Sequence, residues 1–459
     1  MTDTDFNNLD LKPALVKNLA TLGYDHMTPI QAASLPLMLA GKDLIGQART
    51  GSGKTAAFGL NLLQRLAVEK FRVQSLVLCP TRELADQVAN EVRRLARGIH
   101  NIKVLTLCGG VAFGPQKGSL EHGAHIIIGT PGRVEEHLRK RNLNLEHLNT
   151  LVLDEADRML DMGFLDVINQ VLTYVPRGRQ TLLFSATFPH DIQQLSRRAT
   201  RKANHVSVDT HHEEASIRQV LYKVPDRKQR NFALMAVIQH HKPVSTLVFC
   251  NTRQLTTEVA AELKAAGFSA QPIHGELEQR ERDERLTRFS NQSLSVLVAT
   301  DVAARGLDIE TLDLVVNYHL ANDPEVHTHR VGRTGRAGNE GVACSFYLAG
   351  EENRIELLEG MTGVTFEHAP LPAREKDEPP KPPMVSLQID GGKKQKVRPG
   401  DILGALTAKD GIAGNQVGRI NVRDNAAIVA VARPVARRAL KLLQKGKIKG
   451  RSFRARRLG

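Results

Sequence analysis

Residues 48–55 read Ala48-Arg49-Thr50-Gly51-Ser52-Gly53-Lys54-Thr55, directly after a short apolar run and ahead of a stretch carrying Ala56, Phe58, Leu60 and Leu63. Glycines in such a strand-to-helix turn let backbone N–H groups approach phosphate oxygens. Lys54 can reach the outer phosphates and the Thr55 hydroxyl can ligate Mg²⁺. The first position is Ala48, where the general pattern has glycine. Further on, the apolar run Leu151-Val152-Leu153 ends in Asp154-Glu155-Ala156-Asp157. Open α/β sheets bind ligands at the carboxyl ends of buried strands, so Asp154 is placed to hold Mg²⁺ and Glu155 to orient and deprotonate an attacking water. Phosphoryl transfer develops charge that needs more cations than Lys54 and Mg²⁺. The segment His329-Arg330-Val331-Gly332-Arg333-Thr334-Gly335-Arg336 offers arginines every third residue, which could share one face of a helix or a loop. Spacing alone fits a solvated basic face equally well.

Elements must bring these segments together. Short apolar runs at 75–79, 103–108, 125–128, 150–153 and 180–184 alternate with longer helical patterns, and a second series follows at 246–250, 295–299, 314–318 and 342–347. Their near-continuous Val, Leu and Ile content predicts parallel strands covered on both faces by helices. Asp209, His211, His212, Glu213 and Glu214 interrupt the periodicity, which divides a first lobe at 1–208 from a second at 220–369 by a connector at 209–219. Residues 370–383 hold Pro370, Pro372, Pro379, Pro380, Pro382 and Pro383 and read as an extended linker. The remaining 384–459 predict strand (385–389), helix (401–408), strand (417–422), strand (427–432), helix (435–444) and strand (448–454), a small βαββαβ domain of the α+β class.

At 459 residues the chain exceeds one hydrophobic core. No apolar run approaches the roughly 18 to 20 residues that cross a bilayer, and the polar, acidic start shows no export pattern, so a cytoplasmic protein is expected. Cys79, Cys108, Cys250 and Cys344 lie too far apart in sequence for a zinc or redox motif and read as reduced core residues. The net charge of +14 is unevenly placed: residues 371–459 hold 21 Lys and Arg against 7 Asp and Glu, leaving 42 of each sign in the first 370. That asymmetry points to a polyanion-binding module on a neutral machine.

Gly23-Tyr24-Asp25-His26-Met27-Thr28-Pro29-Ile30-Gln31, Pro80-Thr81-Arg82-Glu83-Leu84-Ala85, Gly109-Gly110, Thr130-Pro131-Gly132-Arg133, Ser185-Ala186-Thr187, Ala299-Thr300-Asp301 and Arg305-Gly306-Leu307-Asp308 complete an ordered set from Phe6 to Gly338. Together with the first segments it resembles the DEAD-box RNA helicases. The resemblance implies two RecA-like lobes and ATP rather than GTP, with Gln31 reading the adenine edge beside Phe6, Asp308 at the ribose, and Arg333 and Arg336 at the γ-phosphate. It implies coupling between lobes through Asp157, Ser185, Thr187 and His329. It assigns the RNA backbone to Pro80, Arg82, Gly110, Thr130, Gly132 and Arg133 in lobe one and to Thr252, Arg253, Gly275 and Thr300 in lobe two. His327 departs from the tyrosine usual there.

The βαββαβ order is that of an RNA-recognition domain, and its attachment to such a core resembles one bacterial branch of the family. That resemblance implies action on a hairpin of large-subunit (23S) ribosomal RNA in subunit precursors, and a monomer is expected. Such sheets stack bases on aromatics of the third strand, yet 425–431 reads Asn-Ala-Ala-Ile-Val-Ala-Val, and Phe453 is the only aromatic after Met384. Binding then falls to Lys393, Lys394, Lys396, Arg398, Arg419, Arg423 and the 445–457 cluster with Lys447, and Asn425 is a candidate base contact. A general polyanion anchor, an ATP-gated RNA clamp and a DNA translocase are the competing readings.

Overall fold

The computed structural model describes residues 4–48, 51–208, 217–304, 312–335, 341–374, 378–408 and 410–458. Two compact units result, 1–212 and 213–459.

The first unit is built on seven parallel strands, β1 (Leu44–Gln47), β2 (Ser75–Leu78), β3 (Val104–Leu107), β4 (Ile126–Gly129), β5 (Thr150–Leu153), β6 (Gln180–Ser185) and β7 (Asn204–Ser207), in the order β3-β4-β2-β5-β6-β1-β7. Strand side chains alternate between faces, so each central strand must feed two cores. Val77, Ile128, Val152 and Leu182 pack with one set of helices, while Leu76, Leu78, Ile127, Leu151, Leu153 and Leu183 pack with the other. Gly46 in β1 has no room for a side chain, because a Cβ there would lie 2.6 Å from the Phe184 ring. That close approach seats the strand leading into the glycine-rich turn against a fully buried phenylalanine, whose burial is worth about 2–3 kcal/mol.

In the second unit, β8 (Ile217–Lys223), β9 (Thr246–Phe249), β10 (Ala270–Ile273), β11 (Val296–Ala299), β12 (Leu314–Asn317), β13 (Gly341–Tyr347) and β14 (Glu367–Ala369) form another parallel sheet, ordered β10-β11-β9-β12-β13-β8-β14. Strand β8 begins at Ile217, inside the stretch expected as connector. Its polar start is satisfied across the sheet: Arg218 pairs with Glu367 of β14 at 2.5 Å, and Gln219 meets His327 at 2.8 Å.

The same unit carries a four-stranded antiparallel sheet, β15 (Met384–Ile389), β16 (Val417–Val422), β17 (Ala427–Ala432) and β18 (Ala455–Arg457), ordered β16-β17-β15-β18. Helices Pro399–Thr407 and Ala436–Lys445 pack Ile402, Leu406, Ala439 and Leu443 onto Val385, Leu387, Val429 and Val431. The last strand lies later than the expected 448–454. Lys449 and Gly450 both take positive φ, 53° and 78°, and reverse the chain between bridge partners Ile448 and Arg451, so pairing with β15 starts only at Ala455.

All four cysteines are free and buried, and burial pushes their thiols well above the ordinary range. No helix among the described residues is long and apolar enough to cross a membrane.

Candidate nucleotide and RNA sites

The spatial strand order sorts the sequence segments. The glycine-rich turn, the acidic quartet and Ser185–Thr187 follow β1, β5 and β6, which are neighbours in one half of the first sheet. Gly110, Thr130 to Arg133 and Pro80 to Arg82 follow β3, β4 and β2, which form the other edge. The second sheet repeats the sorting, with Gly275, Thr300 and Thr252 after the edge strands β10, β11 and β9.

In the nucleotide half, Ala48 is buried and Gly51 and Gly53 take φ of 87° and 94°. Helix Lys54–Gln64 then starts under the turn, which aims its N-terminal N–H groups at the loop. Lys54 is 5% exposed and its Nζ has no hydrogen-bond partner, and neither does the buried Oδ1 of Asp154. Burial pushes the Asp154 carboxyl up to about 6; the Lys54 cation opposes that shift and Glu155 reinforces it. A buried cation and a buried carboxylate oxygen without partners fit a phosphate chain carrying Mg²⁺. Among the described residues no group of three or more His, Cys, Asp or Glu could hold a metal by itself. Mg²⁺ usually shares its ligands between one or two side chains and phosphate oxygens, which suits Thr55 and Asp154. Arg49, Thr50 and Asp308 lie outside the described residues.

Gln31 is 1% exposed and braces the turn. Its Oε1 accepts from Thr28 N at 2.9 Å, its Nε2 donates to Gly53 O at 3.0 Å, and Thr28 Oγ1 donates to Ser52 O at 2.8 Å. Phe6 is buried, edge-on to Tyr24. Glu155, 7% exposed, joins β5 to the next helix with φ 51° and ψ 55°, a left-handed conformation that costs a side chain about 1–2 kcal/mol. Asp157 grips the loop after β6: its Oδ2 accepts from Ala186 N and Thr187 N, both at 3.0 Å, and from Thr187 Oγ1 at 3.3 Å. Ser185 Oγ donates to Thr187 O at 2.6 Å, and Ser185 O accepts from Ala48 N at 3.1 Å. One chain of hydrogen bonds thus links the acidic quartet, this loop and the glycine-rich turn.

The arginines of the second lobe do not share a helix face. Helix Pro324–Val331 stops at Gly332, so His329 and Arg330 are helical and Arg333 is not; Arg336 lies outside the described residues. Arg330 is 2% exposed and bidentate to Asp301, at 2.6 and 2.8 Å, and donates to His319 O at 2.9 Å. Its charge is spent inside the lobe. Arg333 is also buried, and its carbonyl accepts from Leu312 N at 3.2 Å. His327 is 3% exposed, between Gln219 and the Phe366 ring, and burial, with Arg330 adding to it, lowers its pKa to about 4. The unfolded chain therefore binds a proton between about pH 6.5 and 4 that the folded lobe refuses. Lobe-two stability is full above 6.5 and falls with pH through that window, by up to about 3 kcal/mol. Hydrogen exchange of β8 and β13 amides across that range should show the loss, and His327→Tyr should reduce it, leaving the share of His319, which burial also lowers to about 4. An unchanged slope in His327→Tyr would assign the loss to other groups.

At the edge half, helix Arg82–Leu95 is capped by Thr81, helix Arg253–Ala265 by Thr252, and helix Asp301–Ala304 is preceded by Thr300, whose Oγ1 accepts from Ala303 N at 3.4 Å. Helix Pro131–Arg139 follows Thr130. Gly132 and Gly275 face open space, since a Cβ would meet nothing within 4 Å. Capped helix starts and bare glycines accommodate a sugar-phosphate backbone, which needs donors and close approach but no base reading. Arg253 pairs with Glu276 at 2.5 Å.

The outer face of the C-terminal sheet is covered. Ser386, Gln388, Ile428 and Ala430 point away from the domain core yet are as buried as core residues. Asn291 Nδ2 donates to Ser386 Oγ at 2.9 Å, Ser293 Oγ lies 2.7 Å from it, and Met384 N donates to Gln292 O at 3.3 Å. Arg423 donates to Thr287 at 2.9 Å, so it also faces lobe two. With Ile428 and Ala430 buried, the outer face of β17 is closed to base stacking. Lys393 and Lys394 sit on a short turn whose N–H groups donate to Arg423 O and Asp424 O, beside Asn425 in the β16–β17 turn, and Lys447 is exposed. Gln116, which sequence reasoning passed over, ties Cys108 to Arg133.

Two parallel-sheet lobes with this sorting of strand ends define a nucleotide-driven helicase core. The DEAD/DEAH box helicase family model matches residues 28–195, the helicase conserved C-terminal domain 229–338 and the DbpA RNA binding domain 386–457. The chain belongs to the DEAD-box ATP-dependent RNA helicases. It is 52% identical over 454 residues to the ATP-dependent RNA helicase DbpA of Escherichia coli (strain K12), covering 99% of both chains. The DbpA of Bacillus subtilis (strain 168) is 35% identical over 477 residues, covering 98% of both. Among solved structures, S. cerevisiae Dbp5 bound to RNA and ADP BeF3 superposes with a TM-score of 0.72 at 31% identity, over 80% of this chain and 96% of that one.

Proposed function

We propose that this RNA helicase acts on a structured element of large-subunit (23S) ribosomal RNA in cytoplasmic subunit precursors, as a monomer, opening short duplexes locally. The observation that carries the reading is the end-to-end similarity to DbpA, including the basic C-terminal domain, whose 18 basic residues from position 384 onward face only 4 acidic ones. In this proposal Lys54 and the turn backbone hold the ATP phosphates, Thr55 and Asp154 hold Mg²⁺, Gln31 and Phe6 sit at the base, and Glu155 takes the proton of the attacking water. Mg²⁺ would supply charge neutralisation on the phosphates. Asp157 carries the state of that site to Ser185 and Thr187, and lobe two supplies Asp308, His329, Arg333 and Arg336. The strand-edge residues of both lobes hold RNA backbone.

Because its outer sheet face is covered, the C-terminal domain reads RNA through Lys393, Lys394, Asn425 and Lys447 rather than by stacking on a platform. ATPase stimulation measured across a set of ribosomal RNA fragments tests this. One 23S fragment should activate at far lower concentration than unstructured RNA, and deleting 384–459 should erase the difference while unstructured RNA still activates. Equal activation by every fragment would remove the hairpin reading and leave a general polyanion anchor.

A further inference from the structure

Gly109 and Gly110 follow β3, and a Cβ on Gly109 would meet nothing within 4 Å. Gly110 takes φ 71°, which favours glycine, and the N–H groups of Gly109, Gly110 and Val111 donate to no carbonyl among the described residues. The carbonyls on either side of the glycine pair are held. Gln116 Nε2 donates to Cys108 O at 2.9 Å, and Arg133 Nη1 donates to Val111 O at 2.9 Å. The same Arg133 nitrogen reaches Gln116 Oε1 at 3.1 Å, and Arg133 Nε pairs with Glu136 at 3.1 Å. His137 Nε2 lies 3.2 Å from Gln116 Oε1, and its ring stacks on Phe113 with centroids 4.2 Å apart. Gln116 is 7% exposed and the Arg133 side chain 13%.

We propose that Arg133 and Gln116 are positioning residues that clamp the carbonyls flanking Gly109-Gly110, so that the loop offers its free backbone N–H groups to one RNA phosphate. The inference rests on the reading of this strand edge as an RNA site and reassigns Arg133 within it. With Glu136 beside it and two of its donors engaged by the protein, Arg133 acts through the loop rather than as a cation on RNA.

Lysine keeps the charge but cannot span Val111 O, Gln116 and Glu136 together. RNA affinity of the full chain would be measured with a single-stranded oligonucleotide and Mg²⁺-AMP-PNP over a series of salt concentrations. Arg133→Lys, Arg133→Gln and Gln116→Ala should each weaken binding about tenfold. The double variant should be no weaker than the worse single one, because the two residues serve one clamp. The slope of log affinity against log salt should stay parallel to wild type. Wild-type affinity in Arg133→Lys, or a slope reduced by about 0.7 in Arg133→Gln, would make Arg133 a direct phosphate contact and overturn the proposal. Circular dichroism and thermal melting exclude misfolded variants, and Gly110→Ala separates the two readings. If it binds like wild type, the strand edge is not the RNA site; if it weakens binding while Arg133→Lys does not, only the clamp fails.

Discussion

Glu155→Gln should abolish RNA-stimulated ATP hydrolysis, lowering kcat by about 10²–10⁴-fold, while Mg²⁺-ATP still binds. The amide keeps the shape of the side chain but is neutral and cannot accept the proton. Lys54 and Asp154, the proposed phosphate and metal seat, keep their side chains, and Asp154 loses only the upward push that the Glu155 charge adds. The backbone supports the choice of Glu155 over its neighbours. Asp157 is occupied by three donors of the loop after β6, and Asp154 is fully inside the sheet end. Glu155 alone of the three carboxylates is held at positive φ, a strained conformation of the kind that clusters at active sites. Glu155→Gly is the matching control: relieving the left-handed conformation should raise lobe-one stability by up to about 1 kcal/mol and still lose hydrolysis. Wild-type turnover in Glu155→Gln, measured by phosphate release at saturating RNA, would remove Glu155 from the proton transfer.

Contiguous segments were legible and distant partnerships were not. The glycine-rich turn and acidic quartet could be read directly because each places its chemistry within a few residues of a strand end. The same holds for β2, β4, β5 and β9, whose apolar runs are buried on both faces. The brace of Gln31 on Gly53, the grip of Asp157 on Ala186 and Thr187, and the reach of Gln116 to Cys108 depend on which strands become neighbours, and the order β3-β4-β2-β5-β6-β1-β7 is not written along the chain. The first three residues of β8 looked like connector because Arg218 and Gln219 find partners on β14 and the 324–331 helix. The aromatic-free β17 could be read from the sequence, but the burial of Ile428 and Ala430 on its outer face could not.

Arg333→Ala should reduce RNA-stimulated hydrolysis by about 10³-fold or more, the scale on which an arginine at a transferring phosphoryl group acts. The neighbouring arginine gives the contrast that makes this a test. Arg330 lies three residues earlier and is as buried, so spacing alone cannot choose between them. Its guanidinium is bidentate to Asp301 and lies over the Phe249 ring at 5.2 Å, a full set of obligations inside lobe two. Arg330→Ala would leave Asp301 without its partner and should cost about 3–5 kcal/mol of stability, visible as an earlier melt. Arg333 stands beyond the helix end that Gly332 sets, on the segment that continues toward Arg336. Loss of hydrolysis at 333 in a chain that still folds and binds ATP, and an early melt at 330, would separate a residue that serves the reaction from one that serves the fold. If Arg333→Ala kept RNA-stimulated ATPase, Arg333 would have no part in hydrolysis.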